Sequence, residues 1–100
     1  MMIINESNFE EQVKMSKGVT VVDFFTSWCA PCRALSPILE KITGAKIVKV
    51  DGDQSQNLVV ENGIRGYPTL IFYKDGVEKQ RVVGVRPQKE LQNLVNSLGM

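Results

Sequence analysis

Both cysteines of the chain, Cys29 and Cys32, lie in one stretch, WCAPC, running from Trp28 to Cys32. Two sulfurs at that spacing admit three chemistries: they can cycle between dithiol and disulfide, supply half of a metal site, or pack as small apolar side chains. Two cysteines are too few for a disulfide scaffold. In a reducing compartment a C-x-x-C pair more often does chemistry than structural stapling. A closed zinc site needs four ligands, and with no histidine and no other cysteine the remainder would have to be carboxylates or come from a second chain.

The flanking elements decide what such a pair can do. VTVVDFF, Val19 to Phe25, is apolar on both alternating faces apart from one acid, the pattern of a central strand covered on both sides. Beyond the cysteines, Leu35, Ile38, Leu39 and Ile42 recur at i, i+3, i+4 and i+7, and Gly44 sits where a helix C-cap glycine belongs. Cys29 thus stands between a strand and an amphipathic helix, near free amides and the positive end of the helix dipole. A thiolate is favoured there, and the thiolate is the nucleophile. Cys32, one turn into the helix, is expected to be less exposed and within reach of a sulfur bonded to Cys29, so one cysteine can attack and the other resolve. Pro31 suits the first helical turn, whereas Pro37 lies inside the helix, removes a backbone donor and should kink it.

The remaining elements read in the same way. Ser7 to Glu10 has the form of a capping box opening a short helix, with Phe9 and Val13 on one face and Lys17 and Gly18 at its end. Ile47 to Val50 is a short apolar strand, and Gln54 to Asn62 a weaker helical stretch closed by Gly63. TLIFY (Thr69 to Tyr73) and VEKQRVV (Val77 to Val83) flank Lys74-Asp75-Gly76, a hairpin signal. Pro87 opens a last helix with Leu91, Leu94, Val95 and Leu98 on one face. The order βαβαβαββα predicts a single α/β domain over residues 1–100, with right-handed crossovers and helices on both faces of a mixed sheet.

Composition narrows the partners. The 100 residues carry 12 basic and 11 acidic side chains, a net charge of +1, with no block of like charge to attract nucleic acid or a membrane surface. No apolar run approaches the ~20 residues of a membrane span. The start, MMIINESNFEE, lacks the basic flank and apolar stretch of a secretory signal, so a cytoplasmic protein is expected unless a leader has been removed. Nothing demands more than a monomer.

Four elements in order and spacing carry a resemblance to the thioredoxin family. WCAPC resembles that family's WCGPC, VDFF places an acid six positions before Cys29, GIRGYPTLIFYKDG resembles its cis-proline loop and following hairpin, and VVGV adds the matching glycine. The similarity spans almost the whole chain and implies a thioredoxin fold with a five-stranded sheet and four helices. It implies a protein-disulfide reductase in which Cys29 is the attacking thiolate and Cys32 the resolving thiol. Asp23 would be the buried acid–base partner, with Lys49 a basic group near it. An acid inside an apolar central strand is costly when charged and unpaired, so its pKa should rise and it could exchange a proton with Cys32. The other readings are an acid pointing to solvent at a frayed strand end for Asp23 and, for Lys49 between Val48 and Val50, a solvated face.

The resemblance also implies a cis bond before Pro68, exposing the Tyr67 backbone for β-like pairing with an extended target segment. Trp28, Ala30, Pro31, Tyr67, Pro68, Val83, Gly84 and Val85 would line the target-binding surface around Cys29; otherwise Trp28 and Tyr67 are partly buried core aromatics. Disulfide-containing proteins are the implied targets, a thioredoxin reductase the electron donor, and no bound cofactor is needed. Three positions depart from the family pattern. Ala30 replaces the usual glycine, Phe25 stands where a second tryptophan is common, and Tyr67 is bulkier and more polar than the aliphatic residue often found before this proline. Two alternatives stand beside a reductase: a redox-independent binding subunit with this fold, and a more oxidising isomerase or oxidase.

Overall fold

β2 (Val19–Phe25) is buried along six of its seven residues because it is the middle strand of five in the computed structural model, which describes residues 1–100. The spatial order is β1 (Met2–Ile4), β3 (Lys46–Asp51), β2, β4 (Thr69–Lys74) and β5 (Val77–Val83). β3 lies parallel to both β1 and β2, whereas β4 is antiparallel to β2 and β5 to β4. Three α-helices, α1 (Ala30–Leu39), α2 (Gln56–Glu61) and α3 (Gln88–Gly99), and a π-helical turn, Glu10–Lys14, complete the expected order. None of the helices is long and apolar enough to cross a membrane.

Alternation along β2 splits the core in two, since successive side chains leave opposite faces of a strand. Val22 and Phe24 join Phe9, Val13, Leu58 and Ile71 on one face; Val19 and Val21 join Leu35, Leu39, Phe72, Leu91 and Val95 on the other. The N-terminal turn and α2 therefore cover one side of the sheet, α1 and α3 the other. Each buried aliphatic or aromatic side chain contributes about 1.5–3 kcal/mol. Position 23 falls on the α1 face with Val21, which is what makes an acid there unusual.

α1 ends at Leu39 with Glu40 as its cap, short of Ile42 and the expected Gly44 cap, and two further elements differ from expectation. The capping box forms at Asn5 and Asn8 instead of Ser7 and Glu10: Asn5 Oδ1 accepts the Ser7 amide at 2.8 Å, and Asn8 Oδ1 accepts the Asn5 amide at 2.8 Å. Short asparagine side chains reach those amides directly, so the reciprocal bonds close two residues early. The turn that follows widens, the Met15 amide reaching back to the Glu10 carbonyl at 2.9 Å, and it ends well before Lys17. Gly18 instead belongs to the approach to β2, where its amide donates to Asp75 Oδ1 at 2.7 Å. The second difference is α2, which is shorter than Gln54–Asn62, because Gln54 and Ser55 amides are taken by the Asp51 carbonyl in a turn closing β3.

Asp75 (φ 50°) and Gly76 (φ 82°) form the two-residue loop between β4 and β5, both in the left-handed region that such loops require. A Cβ on Gly76 would overlap the Lys14 carbonyl, so the hairpin tip also packs the N-terminal turn. Gly76→Ala is therefore expected to destabilise the fold by at least about 2 kcal/mol, combining a positive φ with a backbone clash. An unchanged urea midpoint would show that the tip does not hold that turn.

Candidate active site

Cys29 occupies the N-cap of α1, where the chain leaves β2, and is joined to Cys32 as a disulfide with the two Cα atoms 5.3 Å apart. Its extended backbone (φ −90°, ψ 107°) turns the side chain back over the first helical turn, and the Cys32 amide donates to Cys29 Sγ at 3.2 Å. A sulfur thus takes the capping place usually held by an oxygen. The same amide and the aligned peptide dipoles favour negative charge on Cys29 when the bond is reduced. Both residues are largely covered, Cys29 at 5% exposure and Cys32 at 3%, so the expected lower exposure of Cys32 amounts to a small difference. α1 continues through Pro37 to Leu39, with Leu35 and Leu39 anchoring it to the sheet.

Asp23 is fully buried, and neither carboxylate oxygen has a hydrogen-bond partner. Its neighbour on β3 in the sheet register is Lys49, on β4 Leu70. Lys49 makes no ion pair with it; the two ion pairs of the chain are Arg81–Glu78 and Arg86–Glu90. Burial pushes the Asp23 carboxyl up to about 6, with the Lys49 charge opposing only in part. Lys49 is half-buried, its Nζ 4.4 Å from the centre of the Phe25 ring and donating to Ser36 Oγ at 3.0 Å. That excludes the solvated face for Lys49. Phe25, Thr26, Cys32, Arg33, Ser36 and Lys49 line a cleft of about 230 Å³, which opens on the Cys32 side of the disulfide.

Next to Cys29 in the chain, Trp28 begins an apolar rim. Trp28 is 67% exposed, which rules out a core role, and packs edge-to-face on Tyr67 with ring centres 6.1 Å apart. Its indole Nε1 donates to Asp53 Oδ2 at 2.9 Å. Tyr67 and Pro68 are joined by a cis peptide bond. The Tyr67 amide and carbonyl have no partner within the chain, whereas the next carbonyl, of Pro68, accepts the Gly84 amide at 2.8 Å. That bond, and the pairing of Thr69 with Val83, bring Val83, Gly84 and Val85 alongside the proline loop. Val83 and Val85 are exposed, as are Ala30 and Pro31 at the head of α1. Burial first, then Asp53 and Asp51, raise the Tyr67 phenol above its ordinary value, so it remains a neutral hydroxyl.

Reading the sequence missed Ser36, Asp53 and Gly52. Ser36, four residues after Cys32, is findable from helical spacing, since its Oγ also approaches the Cys32 carbonyl at 3.5 Å. Asp53 and Gly52 carry no local signal, because the side chains they meet, the Trp28 indole and the Tyr67 ring, are distant in the chain.

Comparison with known proteins agrees with this geometry. Residues 1–97 match the family model described as Thioredoxin. The thioredoxin of Staphylococcus saprophyticus is 34% identical over 97 residues, spanning 92% of this chain and 91% of that protein. The thioredoxin of Bacillus subtilis (strain 168) is 36% identical over 101 residues, spanning 96% and 97%. Among solved structures, a mutant thioredoxin from Halobacterium salinarum NRC-1 superposes with a TM-score of 0.91 at 31% identity, covering 99% of this chain and 90% of that one. The thioredoxin of Malassezia sympodialis gives 0.86 at 33% identity, covering 100% and 91%. With the redox pair capping the helix that follows the central strand and the match running nearly end to end, the chain belongs to the thioredoxin family of thiol–disulfide oxidoreductases.

Proposed function

We propose that in the reduced protein the Cys29 thiolate attacks one sulfur of a target disulfide, breaking that bond and releasing the first target thiolate as a mixed disulfide forms on Cys29. Cys32 then loses its proton to the Asp23 carboxylate and attacks Cys29 Sγ. The second target thiolate leaves, two electrons have passed to the target, and the Cys29–Cys32 disulfide remains. The observation that carries this reading is the Cys32 amide pointed at Cys29 Sγ, which selects Cys29 as the sulfur best able to bear charge. Lys49, bonded to Ser36 and lining the cleft at Cys32, keeps a positive charge near the proton path when Asp23 ionises.

Target segments run across the Trp28, Tyr67 and Val83–Val85 surface above the buried Pro68, with the unpartnered Tyr67 amide and carbonyl pairing to their backbone. Ala30 and Pro31 border it at the head of α1. A thioredoxin reductase returns the electrons, and the cytoplasm, where a dithiol can be kept reduced, is the compartment that suits this cycle.

The reduction potential tests the direction of electron flow. Equilibrating the pair in defined thiol–disulfide buffers, read by the emission of Trp28, the only tryptophan, is expected to give roughly −270 mV, as for thioredoxins generally. A value above about −200 mV, in the range of isomerases and oxidases, would reverse the assignment as a reductant.

A further inference from the structure

Five of the eight glycines have positive φ, which explains the absence of a side chain at those positions. Gly52 is not one of them. It is buried, and its φ lies outside the left-handed region that favours glycine. What it lacks is room: a Cβ there would lie 2.7 Å from Cζ and 2.8 Å from Cε1 of Tyr67, and nearer still to the phenol oxygen. The Tyr67 ring occupies the volume that a side chain at position 52 would fill.

The backbone around Gly52 cannot easily retreat. Its amide donates to the Phe25 carbonyl at 2.7 Å, and the Asp51 carbonyl on one side accepts the Ser55 amide at 2.9 Å. Tyr67 is held along the main chain by the Pro68–Gly84 bond and the Thr69–Phe24 pairing that follow it. Its ring is the movable part. That ring supports the Trp28 indole edge-to-face, and Asp53, next to Gly52, holds the indole nitrogen. The Asp53 amide is itself fixed by Asp51 Oδ1 at 2.9 Å.

We propose that Gly52 and Tyr67 are a matched pair that shapes the target-binding groove: the space at Gly52 seats the Tyr67 ring, and the seated ring with Asp53 holds Trp28 in place. Gly52 touches no target and acts as a positioning residue. This rests on the reading that targets cross the Trp28–Tyr67 surface. It also accounts for the bulky residue before Pro68: a tyrosine is accommodated there because position 52 has no side chain. A target then meets two aromatic rings set at 84°, a surface suited to apolar and aromatic side chains beside the target cysteine.

The test is a double-variant cycle on Gly52→Ala and Tyr67→Val, read by steady-state kinetics with a disulfide-bonded protein and by Trp28 emission. Gly52→Ala is expected to raise KM about tenfold while kcat changes less than about twofold, and to shift the emission as the displaced ring releases the indole. In the Tyr67→Val background the same substitution is expected to change KM and emission by less than about twofold, because the volume it needs is already vacant. Changes that simply add overturn the pairing. An emission shift in Gly52→Ala with KM unmoved overturns its role in the groove. If Trp28→Ala also leaves KM unmoved, the fault lies in the assignment of the surface to targets, and the emission cycle still decides whether the pair is matched. Should Gly52→Ala fail to fold while the double variant folds, that rescue is itself the coupling expected.

Discussion

Cys32→Ser is expected to arrest the reaction halfway, with a target protein held covalently on Cys29 and visible as a heavier band in non-reducing electrophoresis. Attack by Cys29 is left intact, because its capping amide belongs to the backbone of residue 32 and survives the substitution. Only the second displacement is lost, since a serine hydroxyl cannot attack Cys29 Sγ. Cys29→Ser is expected to form no adduct and to lower reductase activity at least on the order of 10³-fold, the scale of removing a nucleophile. The pair of results distinguishes the roles: adducts on Cys32 in the Cys29→Ser protein, and none in Cys32→Ser, would exchange them. A double Cys29→Ser, Cys32→Ser variant that kept cellular function would point instead to a binding subunit.

The second large effect concerns pH and Asp23. In the folded protein this carboxyl keeps its proton up to about 6, against an ordinary value of 3.8. Between those values the folded state binds a proton that the unfolded chain has released, so stability falls as pH rises through that window and levels off above it. At neutral pH the buried charge costs about 3 kcal/mol relative to pH below 4, with burial the cause and Lys49 a partial offset. Asp23→Asn is expected to abolish this slope and to be more stable than the parent at pH 7.5. Urea unfolding of the oxidised protein from pH 4 to 8 measures it, and an equal slope in Asp23→Asn would assign the loss to another group. Resolution of the mixed disulfide should slow about 10- to 100-fold in the same variant near neutral pH, because Cys32 loses its proton acceptor.

In the proposed cycle, stability and activity make opposite demands on residue 23. An apolar residue would pack better between Val21 and Phe25 on the α1 face. The proton-acceptor role proposed for Asp23 would offset that cost, since its raised pKa lies close to the pH at which a thiol must be deprotonated.

How much of this was legible from residues alone depends on the range of the interaction. β2 and α1 were readable because burial on two faces, or along one stripe, leaves a period in neighbouring residues. The Asp75–Gly76 loop was readable because two successive positive φ angles require those residue types. The N-terminal capping box was misplaced because Ser7–Glu10 carries the expected glutamate, whereas the reciprocal bonds form at Asn5–Asn8, which lacks it. Only the widened turn needed to bring Phe9 and Val13 onto the sheet chooses between them.

By itself, the sequence determined the class of chemistry, the order of elements and the residue that would bear charge: a strand, two cysteines three apart and a helix put Cys29 at a helix N-terminus in any packing of those pieces. The tertiary structure alone decided what lies across the sheet and across the groove. The register of β2 on β3 sets Lys49 beside Asp23, and Lys49 turns to Ser36 without forming an ion pair. The loop after β3 brings Asp53 to Trp28, 25 residues earlier, and sets Gly52 against Tyr67. Hydrogen bonds and volume exclusion act over a few ångströms in space, and the pairs they select leave no period or spacing along the chain.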